Sequence, residues 1–556
     1  MFDEFSWGFG VMPVWKSRVS CVGFLFVHLW SGSIAAAPPD VTALFPAGGM
    51  RGSEVRIKLQ GKIEADASEL WTATPGIEWI GADGKDAVKL KIAAEAPLGV
   101  VWLTWHNAEG VSPQRAFVVG SLPEINESDS NNSIVPGAAA LTLPVVANGV
   151  LEKAGDVDTY PVVLKTGETL VATLDALKTF GSPMDGLVQV ADAHGFVLIQ
   201  NDDARGFDPR LSFTAPRDDT YYVRVFAFPA APDSSIRFSG APTYVYRLTL
   251  TTGPVVTRWS PPVLASGGTA TLRGYGWNTP GDGIPCEPLS LTPGFASLLR
   301  PDFVGLAPIQ VQSHTVVAAT PDNSKSQPQV VVLPVCVAGQ LSSRRAEQAW
   351  KFVGTKGQRL HLQAATEDLG SPLDALVRVF DAAGKRLHEF DDTKKADFEI
   401  DAEFTLPADG EYTVVISERF WHGGPDYVYS LTLAPSAPDF ELTVAQNAFV
   451  IKSGDKLEIP VAIDRQRGLA APISISISDL PDGITVEPVV SEPKGDSSKS
   501  VKLIVKSTRE ASWLGPLRIV GKTTADPMIE RTAAAAPVPR QIVPPQVLLK
   551  ALAKTP

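Results

Sequence analysis

The sequence predicts an all-β protein, a string of about five antiparallel β-sandwich domains. Three observations predict it. Stretches such as Tyr244 to Leu250 alternate, with Tyr244, Tyr246, Leu248 and Leu250 facing one way and Val245, Arg247 and Thr249 the other, as half-buried strands do. Turn signals break the strands at short intervals: Lys165-Thr166-Gly167-Glu168, Ala193-His194-Gly195, Ala383-Gly384-Lys385 and Ala408-Asp409-Gly410. A domain-sized passage is duplicated. Gly181-Ser182-Pro183-Met184-Asp185 returns as Gly370-Ser371-Pro372-Leu373-Asp374, and Tyr244-Val245-Tyr246 returns as Tyr427-Val428-Tyr429.

The first elements read as an export signal over residues 1–37. Lys16 and Arg18 precede the apolar run Val19 to Trp30, and Ala35-Ala36-Ala37 offers small residues for cleavage. Pro38-Pro39 ends that run too soon for a membrane span, and no other apolar stretch is long enough to cross a bilayer. Pro-rich junctions and the repeats then divide the chain. Residues 38–120 form a sandwich, 121–253 the first repeat with a polar lead-in, and 254–332 another sandwich. Residues 333–435 form the second repeat and 436–527 a last sandwich with alternating Ile473-Ser474-Ile475-Ser476-Ile477. Residues 528–556, rich in Pro and Ala, read as a linker or loose tail, with a 3.6 period around Gln546 to Ala553.

A chain of 556 residues is too long for one core, and 44% apolar with 20% charged residues excludes wholesale disorder. A net charge of −12 speaks against nucleic acid or anionic lipid as partner, since both need a positive field. Removing the signal leaves Cys286 and Cys336, which form either one disulfide or two buried free thiols.

The repeat resembles the bacterial pre-peptidase C-terminal domain. Asn148-Gly149, Gly155-Asp156-Val157-Asp158-Thr159-Tyr160, Lys165-Thr166-Gly167, Gly181-Ser182-Pro183, Asn201-Asp202-Asp203, Thr214-Ala215-Pro216 and Tyr221-Tyr222-Val223-Arg224-Val225 carry the resemblance. The second copy keeps most of them, which gives two such domains. Residues 38–120 and 254–332 resemble immunoglobulin-type sandwiches of the IPT/TIG kind, and 436–527 is immunoglobulin-like. The whole is similar to exported multi-domain chains of planctomycete-type bacteria. The resemblance implies an accessory role, because such domains follow a secreted peptidase domain and some in collagenases bind substrate. No catalytic domain is expected among these residues.

Chemistry-bearing residues are few. Neither an HExxH helix nor a Gly-x-Ser-x-Gly elbow occurs, and the histidines are scattered, so no enzyme is expected. Carboxylates are the better signal. Glu127, Asp129, Asn131 and Asn132 in the lead-in, then Asp156 and Asp158, supply the oxygen donors that a hard cation such as Ca²⁺ takes. In an extended lead-in Glu127, Asp129 and Asn131 turn to one side. The same spacing resembles the calcium motif of collagenase members of the family. The competing reading is a hydrophilic linker followed by a turn whose aspartates cap backbone N–H groups. In the second repeat Ala346, Gln348 and Trp350 replace Asp156, Asp158 and Tyr160, so no metal is expected there.

Asp185 with Asp202-Asp203, and Asp374 with Asp391-Asp392, recur as either fold-shaping turns or a second ion site. Phe420 and Trp421, in a loop before the last strand of the second repeat, are candidate partner contacts. The function these signals support is an exported, non-catalytic protein that binds an extracellular protein or polysaccharide. A peptidase accessory and a plain spacer are the alternatives.

Overall fold

The computed structural model describes residues 37–65, 68–128, 132–231, 237–267, 271–286, 293–298, 300, 303–305, 307–392 and 399–554. The segment read as an export signal lies outside them, apart from Ala37. Strands dominate throughout, and no helix among the described residues is long and apolar enough to cross a membrane.

Five sandwiches follow one another. In the first, the sheet Asp40–Phe45, Glu54–Lys62, Ala87–Ile92, Ile77–Ala82 faces Gly48–Met50, Arg115–Gly120, Gly99–His106, Glu69–Trp71 over a core of Trp105, Phe117, Ile57 and Leu90. The two repeats share one topology. In the first, Arg210–Thr214, Thr169–Asp175, Val245–Thr251, Val145–Val150 and Glu124–Asn126 form one sheet, and Asp158–Leu164, Asp219–Pro229, Met184–Ala191 and Val197–Asn201 the other. The second repeats this order with Ile400–Thr405, Arg359–Ala365, Val428–Pro435, Val335–Gln340 and Thr315–Ala318 against Glu347–Gly354, Gly410–Glu418, Ala375–Asp381 and Arg386–Phe390, to which the short strand Gln329–Val330 adds at the Glu347–Gly354 edge.

Each repeat therefore begins earlier than its conspicuous motifs. Thr315–Ala318 pairs in parallel with Val335–Gln340, just as Glu124–Asn126 pairs with Val145–Val150. The stretch at 315–332, expected in the preceding sandwich, belongs with the second repeat. The sandwich in front of each repeat carries a similar parallel pairing. Gly48–Met50 runs parallel to Arg115–Gly120, and Val263–Ala265 runs parallel to Ala307–Gln312. The one-turn helix Leu177–Phe180 packs on Arg115–Gly120, and its counterpart Glu367–Leu369 packs on Ala307–Gln312. Each repeat thus meets the sandwich in front of it through the same pair of elements.

The tail differs most from expectation. Ala534–Ala535 adds to the sheet containing Asp439–Val444, and Leu548–Ala551 pairs with both Ala448–Ile451 and Trp513–Pro516. The run around Gln546 to Ala553 is therefore a strand and not a helix. Leu548, Leu549, Ala551 and Leu552 are all buried, so its apolar pattern is two-sided and its period uninformative.

The same tail joins the last sandwich to the front of the chain. Gln114 Nε2 donates to the carbonyls of Asn447 (3.1 Å) and Gln546 (2.7 Å), and Ile542 N donates to Lys178 O at 2.9 Å. Cys336 is a buried free thiol, pushed up to about 11 by burial. It packs with Val263 and Ala338, in keeping with the thiol reading; the side chain of Cys286 lies outside the described atoms.

Candidate functional site

The polar lead-in of the first repeat folds back onto the sandwich. Glu124–Asn126 pairs with Val145–Val150, and Arg247, only 4% exposed, clamps Glu124 through two bonds of 2.8 and 2.9 Å. Arg247 also donates to Asn148 Oδ1 at 2.9 Å. A bidentate pair of this kind is directional, and it fixes where the acidic residue three positions on goes. That residue is Glu127, whose N–H bonds to Asn148 O (2.8 Å) and whose Oε1 accepts from Val150 N (2.6 Å).

Asp158 opens the strand Asp158–Leu164 on the face carrying Tyr160, Val162 and Leu164 into the core. It is 2% exposed and accepts the Tyr246 hydroxyl at 2.5 Å, and that hydroxyl lies 2.7 Å from Tyr160 Oη. Tyr246 reaches across because Gly149 stands opposite it. A Cβ there would come within 2.2 Å of the Tyr246 ring. Asp156 sits in the turn before the strand and accepts from Glu152 N (2.8 Å) and Val157 N (3.1 Å). The capping role of Asp156 is thus real, and it coexists with the cluster.

Glu127, Asn132, Asp156 and Asp158 line one recess of about 40 Å³, together with Val150, Glu152 and Lys153. Three of the six expected ligating residues, Glu127, Asp156 and Asp158, are buried or half-buried there, and Asn132 is exposed at its edge. Asp129 and Asn131 lie outside the described residues. The Glu127 carboxyl is pushed up to about 10, first by burial, then by its hydrogen bond to Asp158 and the charges of Asp158 and Asp156. Burial, then Tyr160 and the charges of Asp158 and Glu127, also pushes the Tyr246 phenol well up. Three carboxyl groups crowded into a low-dielectric recess are held together by a proton on one of them or by a cation among them. The donor set is oxygen, as a hard cation requires; Lys153 is the cationic side chain at the same recess.

The second repeat lacks this arrangement. Gln348 stands where Asp158 does and accepts the Tyr429 hydroxyl at 2.6 Å, so a neutral amide replaces the carboxylate on the same tyrosine. Sequence reading alone did not single out Tyr160, Tyr246 and Gly149 as parts of the site. The repeated Asn-Gly and Tyr-Val-Tyr carried the signal.

The recurrent aspartates do converge. Ligand atoms of Asp374, Asp391 and Asp392 lie within 4.8 Å of one another, with Arg419 ion-paired to Asp391. In the first repeat Asp185 is pushed up to about 6 by burial and then by Asp203 and Asp202, with Arg540 opposing. Each cluster thus has an arginine beside it.

Phe420 and Trp421 are 61% and 40% exposed, and the Arg378 guanidinium lies 5.9 Å from the Trp421 ring. Trp421 holds a left-handed φ of 63°, a conformation rare for a bulky residue. Three histidines sit in local contacts. His388 stacks near Phe390 and Phe404, His361 bonds Asp401 at 2.6 Å, and His194 N caps on Asp192 in its turn.

Residues 156–227 match the family model of the bacterial pre-peptidase C-terminal domain. A probable subtilase-type serine protease of Deinococcus radiodurans is 29% identical over 119 residues, which is 21% of this chain and 16% of the relative. The chain therefore spans about a sixth of the length of the curated relative it matches. Among solved structures, the pre-peptidase C-terminal domain of a Bacillus anthracis collagenase aligns with 19% of this chain and 94% of its own, at 12% identity and a TM-score of 0.16. An M60 catalytic domain with two CBM51 domains from Clostridium perfringens aligns with 71% of this chain and 55% of its own, at 9% identity and a TM-score of 0.12. One pre-peptidase C-terminal domain, at residues 156–227 within the first repeat of a nearly all-β chain, is what the family match supports.

Proposed function

We propose that this chain is an exported, non-catalytic binding protein of the cell envelope or extracellular space. In this reading residues 1–37 direct export, and both repeats are pre-peptidase C-terminal domains. The sandwiches before them are of the IPT/TIG kind, and the last is immunoglobulin-like. Phe420 and Trp421 contact an extracellular polysaccharide or protein. The observation that carries the reading is Trp421, exposed, set over Arg378, and held in a strained left-handed conformation. Strain of this kind persists where the surrounding structure over-determines it and clusters at contact sites.

Calcium belongs to the same proposal. Glu127, Asp156 and Asp158, with Asn132 at the edge and Asp129 and Asn131 in the adjoining segment, would hold it. The ion would neutralise the crowded carboxylates and pin the lead-in to the sandwich.

A peptidase-accessory role is the second reading, favoured by the identity to a subtilase-type protease over a segment of the length of one repeat. The spacer reading has less support, because Gln114 and the tail tie the first sandwich to the last. Glycan and matrix-protein arrays test the leading reading. Reproducible binding that Trp421→Ala weakens supports it. A blank array, with the protein instead enhancing a co-expressed secreted peptidase, replaces it with the second.

A further inference from the structure

The tail closes a second recess, at the junction of the first sandwich, the first repeat and the last sandwich. It has a volume of about 160 Å³ and is partly open to solvent. Trp102 and Arg115 come from the first sandwich, Thr179 and Phe180 from the one-turn helix of the first repeat, and Asn447 and Gln541 from the last sandwich and its tail. Gly181 permits the approach. A Cβ there would lie 2.8 Å from Gln541 Oε1, and its φ of 67° suits glycine.

The lining is one-sided in its chemistry. In a chain of net charge −12, no aspartate or glutamate lines this recess, and Arg115 is its charged residue. Arg115 spends Nε on the Val41 carbonyl (2.7 Å), which leaves its two terminal NH₂ groups with no acceptor among the described residues. Asn447 uses its oxygens toward Gln114. Its amide NH₂ and the side-chain donors of Gln541 and Thr179, which also line the recess, have no hydrogen-bond acceptor among the described residues. Burial pushes the Arg115 guanidinium below its ordinary value, opposed by the charge of Asp40. A half-buried guanidinium that no carboxylate among the described residues bonds, Asp40 acting on it through charge alone, is ringed by amide and hydroxyl donors and flanked by two aromatic rings. That is the complement of an anion with a flat apolar body. A cavity of about 150 Å³ holds a molecule the size of benzene.

We propose that this three-domain recess binds a small organic carboxylate, its carboxyl on Arg115 with Asn447 and Gln541 as further donors and its apolar body between Trp102 and Phe180. Such a ligand touches all three domains at once, so its binding braces the junction.

The test uses the full chain with benzoate as probe and benzamide as its neutral isostere, followed by saturation-transfer NMR and calorimetry. Saturable benzoate binding, at least ten-fold tighter than benzamide and at least ten-fold weakened by Arg115→Gln, is the expected result. Arg115→Lys should retain part of it, because a point charge replaces the fork. Ala445→Trp places bulk at an exposed position of the rim and should block binding even where Arg115→Gln fails to fold. Equal binding of benzoate and benzamide, no saturation, or binding untouched in both variants overturns the proposal.

Discussion

Tyr246 gives its hydroxyl hydrogen to Asp158 at 2.5 Å, while in the second repeat Tyr429 makes the same bond to Gln348 at 2.6 Å. The fold therefore needs an oxygen at this position, not a charge. The charge in the first repeat is surplus to folding, and it stands beside two more carboxyl groups. Asp158→Asn should keep the tyrosine bond and leave the calcium-free melting temperature unchanged or higher. Wild-type protein stripped of metal should gain stability with calcium by mass action, about 2.7 kcal/mol at a hundred-fold excess over Kd. Asp158→Asn and Asp156→Ala should lose that gain. A calcium increment of full size in both variants would remove the ion from this recess.

Glu127 gives the pH dependence. Its carboxyl is held at about 10 against an ordinary 4.5, so between those values the folded chain keeps a proton that the unfolded chain has released. Without metal, stability should fall as pH rises through this window. A cation must displace the proton, so calcium affinity should rise by up to about ten-fold per pH unit below 10. Calorimetry in buffers of different ionisation enthalpy should show close to one proton released per ion at neutral pH. Glu127→Gln should abolish the release. Calcium uptake with no proton release in the wild type would contradict the buried, protonated Glu127.

The strands and their alternation were legible because each is set by local pattern: Ile473 to Ile477 alternates in the sequence and alternates in burial. The carboxylates were legible as a group because they lie within a short span. Tyr246 was not, since it meets Asp158 from 88 residues away and only the register of Val145–Val150 against Val245–Thr251 brings it there. The tail was misread for a related reason. Leu548–Ala551 is held by Ala448–Ile451, about a hundred residues earlier, and a Pro/Ala-rich approach gives no local hint of that pairing. Arg115 illustrates the same limit, because its recess exists only once three domains meet.

Trp421 offers a backbone test that separates display from packing. Its φ of 63° costs an L-residue roughly 1 kcal/mol that glycine is spared. Trp421→Gly should thus be more stable than Trp421→Ala by about that amount, in denaturant melts with equal m-values. Both should lose whatever the arrays detect. Binding retained by both variants would place the contact surface elsewhere, and equal stabilities would mean the loop relaxes without strain.

The contact between the first and last sandwiches should loosen in acid. Lys550, 4% exposed on the strand Leu548–Ala551, lies 3.4 Å from His106 Nδ1 and 2.7 Å from Ser512 Oγ. The ammonium is the donor, so His106 must offer a lone pair and stay neutral. Burial, followed by the charge of Lys550, pushes His106 below its ordinary 6.5; Glu69, its cross-strand neighbour, pulls the other way. Burial also lowers Lys550, again opposed by Glu69. Where the contact opens, His106 regains its ordinary value and binds a proton that the closed form refuses. Closure is therefore unopposed above 6.5 and weakens as pH falls from there toward the depressed value. Two unit charges this close interact by roughly 4 kcal/mol at an effective dielectric of 20, enough to open the contact locally although Gln114 still bridges it. Hydrogen exchange, corrected for its intrinsic pH dependence, should show the amides of Leu548–Ala551 losing protection as the pH is lowered from about 7.5 to about 5. His106→Gln keeps an acceptor for Lys550 and should remove the effect. Protection that falls equally in His106→Gln, or holds steady in the wild type, would mean the pair carries no switch.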